Sequence, residues 1–380
     1  MGVFSLAAAF ARDRKFASSD QYHKIALLVP AYQEDQVIIS VIKHLMKQHY
    51  PQAYYDIVVI ADSFQQNTLA ALAQYSVTVL EVHFEKSTKV KSLNHALAHL
   101  DSSYDIVVIS DADNVLEPYF LAKINGAYRA GCSVIQGRRV AKNQNTPFAV
   151  LDAANEMINN HIFRKGFNAL GLSSALIGSG MAFPFKALKE YLADIQAVGG
   201  FDKELQLAFI EKGMKVHYLD SALVFDEKIE TSQAFENQRR RWISSQYIYL
   251  KKYFVKGFKE LFRGNVSYFN IAVLYNLFLP RMLSIGALLL ISLLATVLKD
   301  QLVIPYYCWW LLLLAYGLAL LIALPVRFFN RNFFRAVSRL PHAFFIMLRS
   351  LLRMKGANKS FIHTTHTKTE VDNTVFYQKR

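Results

Sequence analysis

The chain has 380 residues, 53% of them hydrophobic, and a formal net charge of +14. Its two cysteines, Cys132 and Cys308, exclude a disulfide framework and fit a reducing compartment. Arg327, Arg331, Arg335, Arg339, Arg349, Arg353, Lys355 and Lys359 follow the last long apolar run with no acidic residue among them. This distribution points to the cytoplasmic side of a membrane and not to nucleic acid.

Residues Met1–Phe10 are apolar, too short to span a bilayer, and followed by Arg12, Arg14 and Lys15. A signal peptide carries its positive charge ahead of the apolar region. The stretch therefore reads as an interfacial anchor, or as the end of a membrane helix whose start is missing.

From Lys24 onward the pattern alternates. Short apolar runs rich in β-branched residues lie at Ile25–Pro30, Asp56–Ala61, Val77–Val82, Asp105–Ser110 and Ser133–Gln136. Helix-like stretches at Asp35–Lys47, Val90–Leu100 and Glu117–Ala130 separate them. Such βαβ alternation predicts an α/β domain with a mostly parallel sheet, in which ligands bind beyond the carboxyl ends of the strands.

Acidic residues stand at those ends. The first strand runs into Gln33-Glu34-Asp35, the second ends at Asp62, and the fourth leads to Asp111-Ala112-Asp113. Two carboxylates separated by one residue can serve one divalent cation that also bridges a diphosphate, or form an acidic turn. Lys89, Lys91 and Asn94 open the next helical stretch, where basic groups and free N–H donors suit phosphate. Leu176–Phe183 reads as a strand whose Gly178 and Gly180, flanking Ser179, admit close approach of an acceptor. Asp202 falls at the start of the helical stretch Leu205–Glu211, as an N-cap or as a base for an acceptor hydroxyl. Gln238-Arg239-Arg240-Arg241-Trp242 offers a flat ring for a sugar and a guanidinium for a leaving diphosphate, or a basic juxtamembrane helix.

Beyond this point the chain changes character. Gln246–Phe262 and Asn332–Met354 mix aromatic and aliphatic residues with cations, as helices lying in the headgroup zone do, and Pro341 interrupts the second. Met282–Leu298 is at the short end of what crosses a bilayer, whereas Val303–Val326 is comfortably long enough. With a short turn from Lys299 to Leu302, and Tyr306, Tyr307, Trp309 and Trp310 beside it, they predict a transmembrane hairpin. His363-Thr364-Thr365-His366 lacks the further ligands of a zinc site and is expected to pack back on the domain.

Taken in order, PAYQED (Pro30–Asp35), IAD (Ile60–Asp62), KVKSLN (Lys89–Asn94), DAD (Asp111–Asp113), GSGMAF (Gly178–Phe183), FDKELQL (Phe201–Leu207), FDEKIET (Phe225–Thr231) and QRRRW (Gln238–Trp242) resemble glycosyltransferase family 2. The likeness is to its membrane-integrated branch of cellulose, hyaluronan and poly-N-acetylglucosamine synthases and ceramide glucosyltransferases. It implies a GT-A, Rossmann-like catalytic domain at 24–245. The rest is then an anchor at 1–23, an interfacial helix at 246–265, the hairpin at 266–326, and a basic interfacial helix and tail at 327–380.

The resemblance also assigns roles. Pro30, Tyr32, Glu34, Asp62, Lys89, Asp111 and Asp113 line the donor site, and Asp111 and Asp113 hold Mg²⁺ or Mn²⁺. Gly178, Ser179, Gly180 and Trp242 meet the acceptor, and Gln238, Arg241 and Trp242 match Gln-x-x-Arg-Trp. The family's Thr-Glu-Asp triplet reads Gly200-Phe201-Asp202 here, which leaves Asp202 as base and Glu204 in reserve. The implied protein is an integral membrane enzyme with a cytoplasmic catalytic domain, placed in a bacterial inner membrane. It inverts a nucleotide-sugar donor, uridine favoured, to a β-glycoside on a lipid or growing polysaccharide. Two spans favour a lipid acceptor, and a polymerase would need oligomerisation or a partner subunit. The other reading is an inactive nucleotide-sugar-binding scaffold.

Overall fold

A computed structural model describes residues 1–14, 16, 20–197, 199–354, 356 and 366–372. They divide into two compact units. One comprises Arg12–Asn143, Ser173–Glu227 and the C-terminal stretch that includes 366–372; the other comprises Met1–Ala11, Gln144–Leu172 and Lys228–Ala357.

The first unit is built on an eight-stranded sheet. Its strands are β1 (Ile25–Tyr32), β2 (Tyr55–Asp62), β3 (Thr78–Val82), β4 (Ile106–Ile109), β5 (Val115–Leu116), β6 (Val134–Ala141), β7 (Met181–Pro184) and β8 (Val216–Asp226). They lie in the order β3-β2-β1-β4-β7-β6-β8-β5. β3, β2, β1 and β4 are parallel, as the βαβ alternation predicts. The sheet as a whole is mixed: six of its eight strands run in one direction, in keeping with the expected mostly parallel arrangement, and two run against it. β7 enters antiparallel between β4 and β6, and β5 pairs antiparallel with β8.

The continuous apolar runs follow from burial on both faces. Leu27, Val29, Ile57, Val59 and Val108 pack with Ile38, Val41, Ile42 and Leu45 of the helix Ile38–Leu45 and with Phe120 and Ile124 of the helix Phe120–Arg129. Alternate residues Ala26, Leu28, Val58, Ile60, Val107 and Ile109 face Val90, Leu93 and Leu97, then Leu188 and Leu192, then Leu205 and Phe209. These belong to the helices Lys89–His99, Phe185–Ala193 and Phe201–Glu211. The apolar layers leave the strand ends as the polar rim.

The second unit is helical. Thr231 caps the helix Ser232–Phe262, its side chain accepting from Ala234 N at 3.3 Å. The expected interfacial helix from 246 is thus the distal half of a longer one, since no proline intervenes and Gly257 is buried within it. The helix Pro147–Asn159 continues through a π-helical stretch at Asn160–Gly166.

Among the described residues no single helix is long and apolar enough to cross a membrane, and the expected hairpin of two full spans is not found. Arg281–Val297 and Tyr306–Leu321 are apolar but short. Pro305 caps the second at its start and Pro325 follows its end, so Val303–Val326 cannot be one helix. Val266–Leu277 and Arg281–Val297 together have the length and composition of a span, but bend by 63° at their break. The stretch expected at Asn332–Met354 forms two helices, Arg331–Val337 and Leu340–Leu352, divided near Pro341 as its sequence predicts.

Candidate active site

The parallel register sets Tyr32, Asp62 and Val82 side by side at the ends of β1, β2 and β3. The next residues, Gln33 (φ 54°) and Ser63 (φ 59°), both adopt the left-handed conformation, uncommon for side-chain-bearing residues. Gln33 N donates to Asp62 O at 3.1 Å, and Ser63 N to Val82 O at 3.2 Å. Each strand is thereby carried one step further before the chain turns. Backbone strain on neighbouring strand ends is a feature of functional crevices. A cleft of about 300 Å³ opens here, lined by Gln33, Glu34, Asp35, Gln36, Ser63, Gln65 and His366. Pro30 and Tyr32, on β1 just before it, are half-buried and are not among its lining residues.

Asp62 is 1% exposed. Its Oδ1 accepts from Ser63 Oγ at 2.9 Å, while Oδ2 has no hydrogen-bond partner among the described residues. A buried acceptor left open costs free energy unless a ligand donor fills it.

Lys89 begins the helix Lys89–His99, whose Thr88 cap accepts from Lys91 N at 3.3 Å. Its ammonium pairs with the Asp111 carboxylate and donates to Gly178 O at 2.7 Å. It also lies 5.5 Å from the centre of the Phe201 ring, next to Asp202. Lysine, Asp-x-Asp and Gly-Ser-Gly, far apart in the chain, therefore meet. Asn94 is not part of the cluster, since its Nδ2 donates to Leu192 O at 3.3 Å.

Gly178 (φ 84°) and Gly180 (φ 62°) turn the chain into β7, and Ser179 between them is fully buried. Its Oγ accepts from Asp111 N at 2.9 Å and from Asn114 Nδ2 at 2.6 Å. Buried Gln136, at the end of the fifth predicted strand, holds the same turn. Its Nε2 lies 3.0 Å from Ser179 O, and its Oε1 accepts from Ile177 N at 3.0 Å. Gly178, Ser179 and Gly180 thus shape the aspartate loop.

Asp113 is buried, and burial pushes its carboxyl up. His366 Nε2 lies 3.9 Å from Asp113 Oδ2, and His366 Nδ1 is 2.9 Å from Glu34 Oε1. Burial works to lower the imidazole, but Asp113, Glu34 and Glu227 outweigh it and raise its pKa to about 10. The expected tail contact is met here by His366 alone, because His363, Thr364 and Thr365 lie outside the described residues. Lys142, completely buried, donates to Asp113 O at 2.8 Å and Lys368 O at 2.6 Å. Neither His366 nor Lys142 follows from the motifs. No local signal marked the second, because Gln136, Arg138 and Arg139 interrupt the apolar pattern of the strand before it.

Among the described residues no group of three or more His, Cys, Asp and Glu could hold a metal. Asp111 and Asp113 still fit the chemistry of a divalent cation whose remaining positions are filled by phosphate oxygens. Both carboxylates sit beside cations, Lys89 and His366, so the loop is already charge-compensated.

Asp202 lies in the first turn of the helix Phe201–Glu211, two residues after Gly200 (φ 72°). It is not the cap, which corrects the N-cap alternative. Burial raises its carboxyl above the ordinary aspartate range, with Lys203 and Lys89 opposing. Glu204 shares the turn.

Gln238, Arg241 and Trp242 belong to the helical unit, on Ser232–Phe262. Gln238 Oε1 is buried with no hydrogen-bond partner among the described residues. Trp242 is 39% exposed.

Residues 23–245 match the family described as Glycosyltransferase like family 2. The chain belongs to this family. A probable glycosyltransferase of Bacillus subtilis, YdaM, is 24% identical over 313 residues, 70% of each chain. The β-monoglucosyldiacylglycerol synthase of a Nostoc species is 26% identical over 65% of this glycosyltransferase, which spans 54% of that enzyme. Among solved structures, the mannosyltransferase PcManGT from Pyrobaculum calidifontis, in complex with GDP-Man and Mn²⁺, superposes with a TM-score of 0.53 at 17% identity. The match covers 93% of this chain and 94% of that one, and the fold is of the GT-A type.

Proposed function

We propose that this glycosyltransferase moves a sugar from a UDP-sugar to the hydroxyl of a membrane lipid, with inversion, to give a β-glycoside. The observation that carries the reading is the meeting of Lys89, Asp111 and Gly178 beside Asp202, at the carboxyl ends of the parallel strands.

In this reading the nucleoside lies along β1 and β2, where the open Asp62 Oδ2 accepts a base N–H. Lys89 turns from Asp111 to the donor phosphates, and Gly178 and Gly180 border the acceptor. A divalent cation, Mg²⁺ or Mn²⁺, held by Asp111 and Asp113 would supply neutralising charge for the diphosphate. Asp202 takes the acceptor proton; the hydroxyl oxygen bonds to the anomeric carbon as the bond to the diphosphate oxygen breaks. Arg241 neutralises the leaving charge, Gln238 orients the acceptor, and Trp242 stacks on it. A carboxyl raised by burial is the stronger base for that task.

The lipid acceptor rests on two supports. Relatives named for β-monoglucosyldiacylglycerol synthesis make a lipid β-glycoside. In addition, Leu290, Leu293, Leu294, Leu311, Leu314 and Leu318 leave apolar surface exposed on Arg281–Val297 and Tyr306–Leu321. That surface suits insertion into a bacterial inner membrane, with the basic residues after it on the cytoplasmic side.

The test is the product formed from UDP-glucose and dioleoylglycerol in mixed micelles, analysed by NMR. One β-linked glucose per lipid supports the proposal. An α-linkage overturns inversion, and a ladder of added sugars overturns single transfer.

A further inference from the structure

Phe235, Arg239 and Trp242 lie on one face of the helix Ser232–Phe262, four and then three residues apart. The Arg239 guanidinium carbon lies 4.6 Å from the centre of the Phe235 ring and 4.3 Å from that of Trp242. Asp152, on the helix Pro147–Asn159, holds the same guanidinium through Nη2. Arg239 and Asp152 are 5% and 4% exposed. Phe148, one turn before Asp152, packs on Phe235 with ring centres 5.5 Å apart.

A buried ion pair is poor value as a fastener, since apolar side chains of similar size commonly pack at lower cost. The incomplete pairing of this one sharpens the point. Arg239 Nε is buried with no hydrogen-bond partner among the described residues. A planar cation fixed by a carboxylate does, however, hold an aromatic ring in one orientation, which an aliphatic side chain cannot do.

We infer that Arg239, anchored by Asp152, is a positioning residue that sets the plane of Trp242 for the acceptor. The inference rests on the proposed acceptor role of Trp242. It adds a specificity determinant at a position that Gln-x-x-Arg-Trp leaves open.

The test uses the full chain with Trp309→Phe and Trp310→Phe, which leaves Trp242 as its one tryptophan. In that protein Arg239→Lys keeps a charge for Asp152 but loses the planar fork. We expect acrylamide quenching of Trp242 to rise about twofold, and the KM for dioleoylglycerol to rise about fivefold with the UDP-glucose KM within about twofold, as befits loss of one planar stacking contact. Combined with Trp242→Leu, Arg239→Lys should add little to the acceptor KM, because the ring it orients is gone. Unchanged quenching in Arg239→Lys, with a lowered Tm in Arg239→Met, would make the pair a structural tie and overturn the inference. Quenching is read without turnover, so it decides the positioning even if transfer to this lipid is not seen. A normal acceptor KM in Trp242→Ala would instead overturn the acceptor role on which the inference rests.

Discussion

Lys89 and Asp111 form an ion pair whose ammonium also donates to Gly178 O at 2.7 Å. One cation therefore ties the aspartate loop to the glycine turn, and it occupies an oxygen that a divalent ion would need. Lys89→Met should bind free Mn²⁺ more tightly, by about tenfold on removal of one adjacent positive charge, while the donor KM rises by a similar factor. Electron paramagnetic resonance of Mn²⁺ without nucleotide, set beside donor kinetics, checks both. Unchanged Mn²⁺ affinity would remove Asp111 from the metal site.

The two glycines flanking Ser179 should respond unequally to alanine. A Cβ on Gly180 would stand 2.3 Å from Val224 Cγ2, whereas one on Gly178 meets nothing within 4 Å. Both residues have positive φ, so each substitution carries backbone strain. Gly178→Ala should cost about 1 kcal/mol and Gly180→Ala about 3 kcal/mol, the difference being overpacking against β8. Denaturant melts give the ranking.

Lys142 is buried and supports two main-chain oxygens, on Asp113 and Lys368. Lys142→Met leaves both oxygens without this donor and should destabilise the protein by about 3 kcal/mol. Proteolysis at the C-terminal stretch should accelerate in parallel, because Lys368 loses its tie to the aspartate loop.

A pH dependence of stability follows from His217 on β8. Burial, then Arg14 and Lys215, lower its pKa from 6.5 to about 4. Below 6.5 the unfolded chain takes up a proton that the folded chain refuses. This histidine therefore costs stability progressively as pH falls from 6.5 towards 4. His217→Gln should flatten the plot of Tm against pH over that window.

β1, β2 and β4 were legible because each apolar run is buried on both faces, and β3, a largely exposed edge strand, because its β-branched Thr78, Val79 and Val82 mark it locally. Asp62, Asp111 and Asp113 were legible for a related reason, since they mark the points where those runs stop. β8 was not read as a strand: Asp220 and Ser221 interrupt its pattern where the β6–β8 register shifts. The insertion of β7 was hidden too, because an antiparallel neighbour is chosen by tertiary pairing and not by local periodicity. His366 could not be assigned to Glu34 and Asp113 from spacing, since both partners lie more than two hundred residues away. Arg239 was read only as part of a basic run. Its partner, Asp152, lies on another helix, and a helical face defined by the two together has no signature in either alone.

The most direct measurement is release of nucleoside diphosphate by the full chain in lipid with dioleoylglycerol, over a panel of UDP- and GDP-sugars, with Mn²⁺ or with chelator. Asp202→Asn is run alongside, with donor affinity measured separately by calorimetry. The proposed mechanism predicts release with a UDP-sugar that requires metal, and loss of release in Asp202→Asn by at least about a hundredfold with donor affinity retained. Full release in Asp202→Asn would contradict it and leave Glu204 as the carboxylate to test next.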